Sequence, residues 1–210
     1  PLAPIAGNKP LALQATIEDR VAIRARRDLD EDERGLFHQR RMRTGVYEAG
    51  KTAPLREAVV YSSFRGRQYS DNPRAIHEEL VRRAAPLEHL WVVYDGRCNV
   101  PATATALRAG SREYYEAMAR ARYVIANDHF PDWFMRRDGQ ICLQTWHGTP
   151  LKRIGLDLAE VRKRRVRFGR AARLQAPNWQ HVLSPNRYAT PIMQRAYEIE
   201  NEIWETGYPR

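Results

Sequence analysis

The sequence contains little cysteine and no long apolar run. Its 210 residues include two cysteines, Cys98 and Cys142, which are too few for a disulfide framework or a cysteine zinc site. Both lie beside predicted strands, so we expect buried free thiols. No apolar stretch approaches the roughly 20 residues that a membrane-spanning helix needs. The opening segment PLAPIAGNKP has no charged region leading into an apolar one, so no secretory signal is predicted.

Two common phosphate-binding motifs are also missing. The sequence has neither GxGxxG nor GxxxxGK[ST], which argues against a dinucleotide fingerprint and a P-loop. It lacks an initiating methionine and stops at GYPR, so we expect it to be part of a longer protein. Acidic residues are in the minority: 35 Lys and Arg against 25 Asp and Glu give a net charge of +10. That surplus favours phosphates, nucleic acid or an acidic membrane as partners, although a basic solvated surface has the same composition.

Residues 1–57 are predicted to form an extension that precedes the main domain. Within 11–27, alternating apolar residues in LALQATI and VAIRA predict a β-hairpin. Asp30 can cap a following helix in which acidic residues come first and basic residues last, as the helix dipole favours. Two glycines and a proline in the segment 45–57 predict a linker, and we place the main domain at 58–210.

The main domain alternates short β-rich segments with helical ones. Strands are predicted near residues 58–64, 89–95, 122–128, 140–146, 181–186 and 202–207. Helices are predicted at 72–85, 111–121, 168–176 and 187–200. Pro73 suits a first helical turn, and Ser111 suits an N-cap. Strands that alternate with helices indicate a parallel sheet covered on both faces, so the predicted fold is a Rossmann-like doubly wound α/β domain.

The loop after the fourth predicted strand carries the strongest candidate chemistry. It reads QTWHGTPLK, and His147 follows the strand directly. A histidine at a strand end can take a proton from a hydroxyl nucleophile, or it can be a structural residue bonded to a backbone carbonyl. Gly148 allows close backbone approach, Thr149 can cap the following turn, and Lys152 offers a charge suited to phosphate.

A second candidate loop follows the first strand of the main domain. Arg65, Gly66 and Arg67 resemble a loop that contacts phosphate. Asp71 can cap the helix that opens two residues later, as it would in an ordinary β–α turn, or it can belong to the binding site. The carboxyl ends of parallel strands meet at one edge of a sheet, so this loop and the histidine loop could face the same crevice.

A third candidate loop follows the third predicted strand. Asn127, Asp128 and His129 could orient His147 or bind an acceptor hydroxyl, or they could simply form the turn before the next proline. No cysteine and no second histidine stand nearby at the spacing of metal ligands, so no metal site is expected.

The most basic segment lies between the fourth and fifth predicted strands. Residues 162–174 hold seven basic residues and no acidic one, with apolar side chains between them. Such a segment can lie on an anionic bilayer, where each basic side chain adds up to ~1 kcal/mol. A solvated helix face and a nucleic-acid contact are the alternatives. The predicted membrane contacts are Arg162, Lys163, Arg164, Arg165, Arg167, Phe168, Arg170 and Arg173.

Several of these strings occur together in one enzyme family. In order along the chain stand YSSFRGRQYSDNPRAI, REYYEAMARARYVIANDHFP, LQTWHGTPLKRIG, HVLSPN and ETGYPR. This pattern resembles the CDP-glycerol:poly(glycerophosphate) glycerophosphotransferase family, the teichoic-acid polymerases and primases of bacterial cell walls and capsules. The resemblance covers about residues 58–210 and is most specific at TWHGTPLK.

The resemblance implies a GT-B architecture, of which this chain would be the N-terminal, acceptor-side domain. The implied reaction moves a polyol phosphate from a CDP-polyol such as CDP-glycerol to a hydroxyl of a lipid-linked acceptor, at the cytoplasmic face of the membrane. The family's catalytic histidine falls on His147, which would deprotonate that hydroxyl. The nucleotide-binding residues would belong to a missing C-terminal domain, so the 210 residues alone are expected to bind no cofactor and to turn over nothing.

Two other functions stay open at this point. A sugar-nucleotide glycosyltransferase on the same two-domain plan would share the fold but not the TWHGTPLK match. A basic nucleic-acid-binding α/β module would use the arginines of 162–173. The sequence has no aromatic RNA-binding signature and no helix-turn-helix pattern, so nucleic acid is not expected as a partner. Glycerol, ribitol and other polyol donors are not distinguished.

Overall fold

The fold is taken from a computed structural model, which describes residues 11–15, 21–25, 29–95, 98–161 and 172–210. Strands β1 (Leu11–Ala15) and β2 (Val21–Ala25) pair antiparallel in a two-stranded sheet of their own. The hairpin predicted from the alternating sequence is therefore confirmed.

The main sheet has seven strands in the described ranges, and all of them are parallel. They are β3 (Arg56–Ser62), β4 (Glu88–Val93), β5 (Thr105–Arg108), β6 (Ala121–Ala126), β7 (Ile141–Gln144), β8 (His181–Leu183) and β9 (Ile203–Trp204). Their order across the sheet is β5-β4-β3-β6-β7-β8-β9. The chain winds outward from β3 in one direction and then from β6 in the other, so the strand order reverses between these two strands. The predicted Rossmann-like doubly wound fold is confirmed.

The main helices of the described chain are α1 (Gly35–Arg41), α2 (Asp71–Arg82), α3 (Arg112–Arg120), α4 (Gly155–Val161) and α5 (Ala189–Tyr197). Helix α3 begins as predicted, because the Ser111 hydroxyl accepts a hydrogen bond from the Tyr114 amide at 3.2 Å. Such a cap satisfies one of the amides that the first helical turn leaves without a partner.

Alternation along the central strands divides the core into two faces. Val59 and Tyr61 of β3 point to one face, where they meet Trp91 of β4 and the apolar side of α2. Val60 points to the other face, where α3, α5 and the segment before β3 pack. Both faces of β3 are therefore covered, which explains its continuous run of buried apolar residues.

Residues 42–50 are helical and pack on α3, unlike the linker predicted at 45–57, whereas residues 51–55 form neither helix nor strand before β3 begins. A π-helical stretch, Met42–Tyr47, and a turn, Glu48–Gly50, continue from α1. The first and last residues of the π-helical stretch are buried in the core that α3 shares. At Gly50 a Cβ would lie 2.8 Å from the Cβ of Ala119, so this glycine allows two helices to approach closely. The domain boundary itself stays a prediction.

A buried carboxylate ties the start of this segment to the sheet edge. The Glu33 side chain accepts hydrogen bonds from the Arg108 guanidinium at 2.8 Å and from the Arg112 amide at 2.6 Å. Asp30 is the N-cap of the short 3-10 turn Glu31–Glu33 that precedes α1, and its own amide donates to Glu33 at 3.1 Å. The predicted cap at Asp30 therefore begins this turn rather than the long helix.

Two elements are present that the sequence pattern does not predict. Strand β5 has four residues, of which one is buried, and lies at the sheet edge. Helix α4 follows the histidine loop. The predicted helix at 168–176 lies partly outside the described residues, although 172–175 are helical. Among the helices of the described ranges, none has both the length and the apolar character needed to cross a bilayer.

The predicted membrane contacts from Arg162 to Arg170 lie outside the described residues. Arg173 is described, and its side chain is exposed with Nε 3.6 Å from a carboxylate oxygen of Glu198. At this distance and exposure the ion pair contributes little to stability. Arg173 is therefore available to an anionic surface.

Candidate active site

Three loops leave neighbouring strands at the carboxyl edge of the sheet. They follow β3, β6 and β7 and comprise residues 63–70, 127–132 and 145–154. Because the strand order reverses between β3 and β6, these loops meet where open α/β sheets bind their ligands. The Phe64 ring of the first loop lies 5.5 Å from the His147 ring of the third, measured between centroids. The structure thus brings together the three loops that are predicted from sequence to carry the chemistry.

His147 is exposed at the rim of this crevice. The residue before it, Trp146, has a positive φ of 51°, a conformation that costs a non-glycine residue about 1–2 kcal/mol. Its indole ring packs 5.9 Å from Trp179 and 5.3 Å from Tyr197, and its amide donates to the Gln144 side chain at 2.9 Å. The sharp turn therefore packs the tryptophan inward and points the histidine outward. In the described part of the chain no hydrogen bond reaches the His147 imidazole, so both ring nitrogens are open to a ligand.

The loop after β3 carries two arginines, of which Arg65 reaches Asp128 of the second loop. Arg65 has a φ of 58°, and its Nε lies 3.2 Å from Oδ2 of Asp128 while the side chain stays 56% exposed. Arg67 is exposed, with its guanidinium 5.7 Å from the Tyr94 ring centroid. Gly66 is buried, and its carbonyl accepts a hydrogen bond from the Tyr94 amide at 2.7 Å. Gly66 thus shapes the loop, and the arginines supply its positive charge.

Two of the predicted binding residues are turned into the protein. The Asp71 side chain is 3% exposed, with Oδ1 2.5 Å from Nη1 of Arg210 and Oδ2 accepting from Asn127 Nδ2 at 2.6 Å. Asn127 is buried, and its Oδ1 accepts from the Phe64 amide at 2.8 Å. The prediction that Asp71 caps α2 is wrong. That helix begins at Asp71 itself after Ser70, and the carboxylate is engaged by the arginine and the asparagine.

The residues after His147 continue along the rim. A Cβ on Gly148 would meet no atom within 4 Å, so this position faces open space. The Thr149 hydroxyl accepts from Asn186 Nδ2 at 3.4 Å. In the described chain no backbone amide donates to this hydroxyl, so the predicted cap of the following turn is absent, and the next helix, α4, begins only at Gly155. Lys152 is exposed. The histidine loop and Met193 of α5 border a small hollow of about 120 Å³ with mostly apolar walls.

A larger cavity of about 300 Å³ opens beside the crevice. Its walls are apolar side chains of β3, β4, β6 and α3, and its mouth includes Arg65 and His129. Burial lowers the pKa of His129, whose Nε2 lies 3.2 Å from the Tyr197 hydroxyl. Residues 127–129 are among the candidates predicted from sequence to orient His147. Within the described chain none of them bonds to its ring.

The C-terminal residues reach the histidine loop, a contact that is not predicted from the sequence. The Tyr208 hydroxyl donates to the Gly148 carbonyl at 2.9 Å, and Arg210 Nη2 donates to the His147 carbonyl at 3.0 Å. The string GYPR contributes to the family resemblance, but nothing in its spacing indicates a partner about 60 residues earlier in the chain.

Comparisons with known proteins show which family the chain is similar to. The family model for CDP-Glycerol:Poly(glycerophosphate) glycerophosphotransferase matches residues 50–210. A teichoic acid glycerol-phosphate transferase of Staphylococcus aureus (strain NCTC 8325 / PS 47) is 35% identical over 167 residues, which cover 75% of this chain and 42% of that protein. A teichoic acid poly(glycerol phosphate) polymerase of Bacillus subtilis (strain 168) is 36% identical over 168 residues, covering 77% of this chain and 22% of that protein.

A solved structure of the wall teichoic acid polymerase TagF superposes with a TM-score of 0.75 and 30% sequence identity. The superposition covers 81% of this chain and 43% of that chain. The chain therefore spans less than half the length of each of these relatives.

Proposed function

The chain belongs to the CDP-glycerol:poly(glycerophosphate) glycerophosphotransferase family, and we propose that it is the acceptor-side half of a GT-B enzyme that transfers glycerol phosphate. The strand order and the likeness to the wall teichoic acid polymerase support this placement. A second, nucleotide-binding half would hold CDP-glycerol across the crevice. The observation that carries the proposal is the exposed His147 ring, which no hydrogen bond reaches within the described chain.

In the proposed reaction His147 is the general base. Its imidazole accepts the proton of an acceptor hydroxyl while the oxygen attacks the β-phosphorus of CDP-glycerol. A phosphorus–oxygen bond to the acceptor forms, the bond from that phosphorus to the bridging oxygen breaks, and CMP leaves. A positioned base contributes roughly 10²–10⁴-fold to the rate of such a step. The ring must therefore face the crevice, and its exposure and its 5.5 Å distance from the Phe64 ring support this.

Positive charge near the transferred phosphate is the second requirement of phosphoryl transfer. We assign this role to Arg65, Arg67 and Lys152, which lie on the first and third loops. Arg67 and Lys152 are exposed, and Arg65 shares its charge with Asp128. Gly148 leaves room beside the base for the acceptor hydroxyl to approach.

We also propose that the chain contacts an anionic membrane surface at the cytoplasmic face, where a lipid-linked acceptor would be held. The basic run at 162–170 supports this from sequence. The described structure adds α1, on which Leu36 is 88% exposed and Phe37 68% exposed. Arg40 and Arg41 are exposed on the same helix. Exposed apolar side chains beside cations suit the headgroup region of an anionic bilayer.

Vesicle flotation tests the membrane proposal. The full-length protein should float with phosphatidylglycerol-containing vesicles and not with pure phosphatidylcholine vesicles, and added salt should weaken its binding. Replacing Leu36 and Phe37 by serine should reduce flotation without changing the melting temperature, because both side chains are already in water. Binding that ignores lipid charge would contradict the proposal.

A donor screen tests the catalytic proposal. The full-length enzyme, supplied with a glycerol-phosphate-primed acceptor, should release CMP from CDP-glycerol and should not release UDP from UDP-sugars. Use of a UDP-sugar would make the protein a glycosyltransferase of the same fold and would refute the proposal. The 210-residue chain alone should release no CMP. CMP release by this fragment would contradict the assignment of donor binding to a second half.

A further inference from the structure

We propose that Asp71 and Arg210 are positioning residues for His147. Their ion pair lies beneath the crevice, fixes the backbone of the histidine loop and thereby aims the imidazole ring. The inference rests on the proposed function, in which His147 is the base, and it adds residues that act on the base rather than on the substrate.

The first observation is that the backbone of the loop is held from outside. The carbonyls of residues 145–148 all accept hydrogen bonds from side chains of other segments. Asn72 Nδ2 donates to the first two, at 3.3 Å and 2.9 Å. Arg210 donates to the third at 3.0 Å, and the Tyr208 hydroxyl donates to the fourth at 2.9 Å. The loop therefore has little freedom to shift while these donors stay in place.

The second observation concerns what holds Arg210. Its Nη1 lies 2.5 Å from Asp71 Oδ1 while Nη2 donates to the His147 carbonyl, so one guanidinium bridges a carboxylate and the loop. The Asp71 side chain is 3% exposed and the Arg210 side chain 47% exposed, so water reaches the guanidinium but hardly reaches the carboxylate. Its other oxygen accepts from Asn127 at 2.6 Å, which fixes the carboxylate in turn. The planar fork of an arginine suits such a bridge, and the single ammonium of a lysine does not.

The third observation is that the Asp71 carboxylate is also linked, through one asparagine, to Phe64, whose ring lies beside the histidine ring. Asn127, which donates to Asp71, also accepts from the Phe64 amide at 2.8 Å. The Phe64 ring lies 5.5 Å from the His147 ring. Asp71 and Trp146 both have positive φ angles, 61° and 51°. Residues in that region persist only where the surrounding structure holds them. Through Arg210 the ion pair holds the backbone of His147, and through Asn127 it holds Phe64, whose ring lies beside the base.

The test uses the full-length enzyme with CDP-glycerol. Arg210→Lys keeps the charge but cannot bridge, and Asp71→Asn keeps the shape but removes the ion pair. We expect each to lower kcat about 100-fold, the typical effect of an ångström-scale misplacement of a catalytic group, with an unchanged KM for CDP-glycerol. The double variant should be no worse than the single ones, because the two residues act as one unit.

A second ion pair of the same type serves as the control. Arg195 of α5 donates to Asp157 of α4 at 3.1 Å and 2.6 Å. The substitutions Asp157→Asn and Arg195→Lys should leave kcat unchanged. Because Asp71→Asn could fail to fold, Tyr208→Phe adds a mild variant, which removes only the hydroxyl bonded to the loop. It should lower kcat in the same direction as Arg210→Lys.

Hydrogen exchange supplies a readout that needs no activity. Peptides that span 145–152 should exchange faster in Arg210→Lys and Asp71→Asn than in the wild type, and the control pair should not change them. If the wild type releases no CMP from CDP-glycerol, the proposed function fails while faster exchange still supports the positioning role. Wild-type kcat in both variants, or a loss of kcat without faster exchange in this loop, would overturn the inference.

Discussion

Replacing Gly66 by alanine should disrupt the arginine loop after β3. Gly66 has a φ of 79°, in the region that residues with a Cβ rarely adopt. An added Cβ would lie 3.0 Å from the Tyr94 amide nitrogen and 3.0 Å from both the carbonyl oxygen and Cγ1 of Val92. The end of β4 cannot move away easily, because the Tyr94 amide is itself bonded to the Gly66 carbonyl at 2.7 Å.

The expected magnitude follows from two terms. An alanine in the left-handed region costs about 1–2 kcal/mol, and crowding against a fixed strand adds about 1 kcal/mol or more. We therefore expect Gly66→Ala to lower the free energy of unfolding by about 2–3 kcal/mol. Gly45 is the matched control, because it lies in the π-helical stretch without a positive φ, and a Cβ added there would meet no atom within 4 Å. Gly45→Ala should raise stability by about 0.4–1 kcal/mol.

Urea unfolding followed by circular dichroism measures both variants under the same conditions. The difference in unfolding free energy between them should exceed about 2 kcal/mol. Equal stability of Gly66→Ala and the wild type would refute the reasoning about the loop. A destabilised Gly45→Ala would show that the segment before β3 is not helical as described.

Three further predictions concern buried groups. Burial lowers the pKa of His77 and of His89, so below about pH 6.5 the unfolded chain binds more protons than the folded one. The urea midpoint should stay level above that pH and fall as the pH drops from about 6.5 towards the lowered pKa values, and a midpoint unchanged down to about pH 5 would contradict this. Burial raises the pKa of the Cys142 thiol to about 12, so an alkylating reagent should label it only after unfolding, and rapid native labelling would contradict its placement. Glu33→Ala should lower the free energy of unfolding by about 3 kcal/mol, because it leaves the mostly buried Arg108 without this carboxylate. An unchanged urea midpoint would show that the pair contributes nothing.

The core of the fold could be predicted because its signals are local. The alternation of short apolar strands with helices predicts a parallel sheet, and the Ser111 cap is correct to the residue. Strand β5 escapes prediction because only one of its four side chains is buried, so its apolar pattern is too weak to stand out. Its parallel pairing with β4, and not its own apolar pattern, is what makes this segment a strand.

Glycine explains why residues 45–50, the first part of the linker predicted at 45–57, are helical instead. In a sequence Gly50 indicates a break in regular structure, but its role here is to let one helix lie against another, with Ala119 as the neighbour. The first and last residues of the π-helical stretch stand five apart and not at the usual three or four. A search for the ordinary helical period therefore does not recognise the buried face.

The position of the candidate site could be predicted from the sequence, whereas the contacts that support it could not. His147 and Arg65 follow strand ends, and the order of the strands brings their loops together, whereas Arg67 lies against Tyr94 at the end of β4. The pairing of Asp71 with Arg210 joins residues far apart in the chain, and no local pattern encodes it. Asp71 at the start of a helix is the usual signature of a cap, which explains the wrong assignment.

The most direct test of the account is the substitution His147→Gln in the full-length enzyme. Glutamine is similar in size and polar, but it cannot take up a proton from an alcohol at neutral pH. We predict that glycerol-phosphate transfer falls by roughly 10²–10⁴-fold while CDP-glycerol binds with unchanged affinity. Transfer at the wild-type rate would contradict the assignment of this exposed ring as the base.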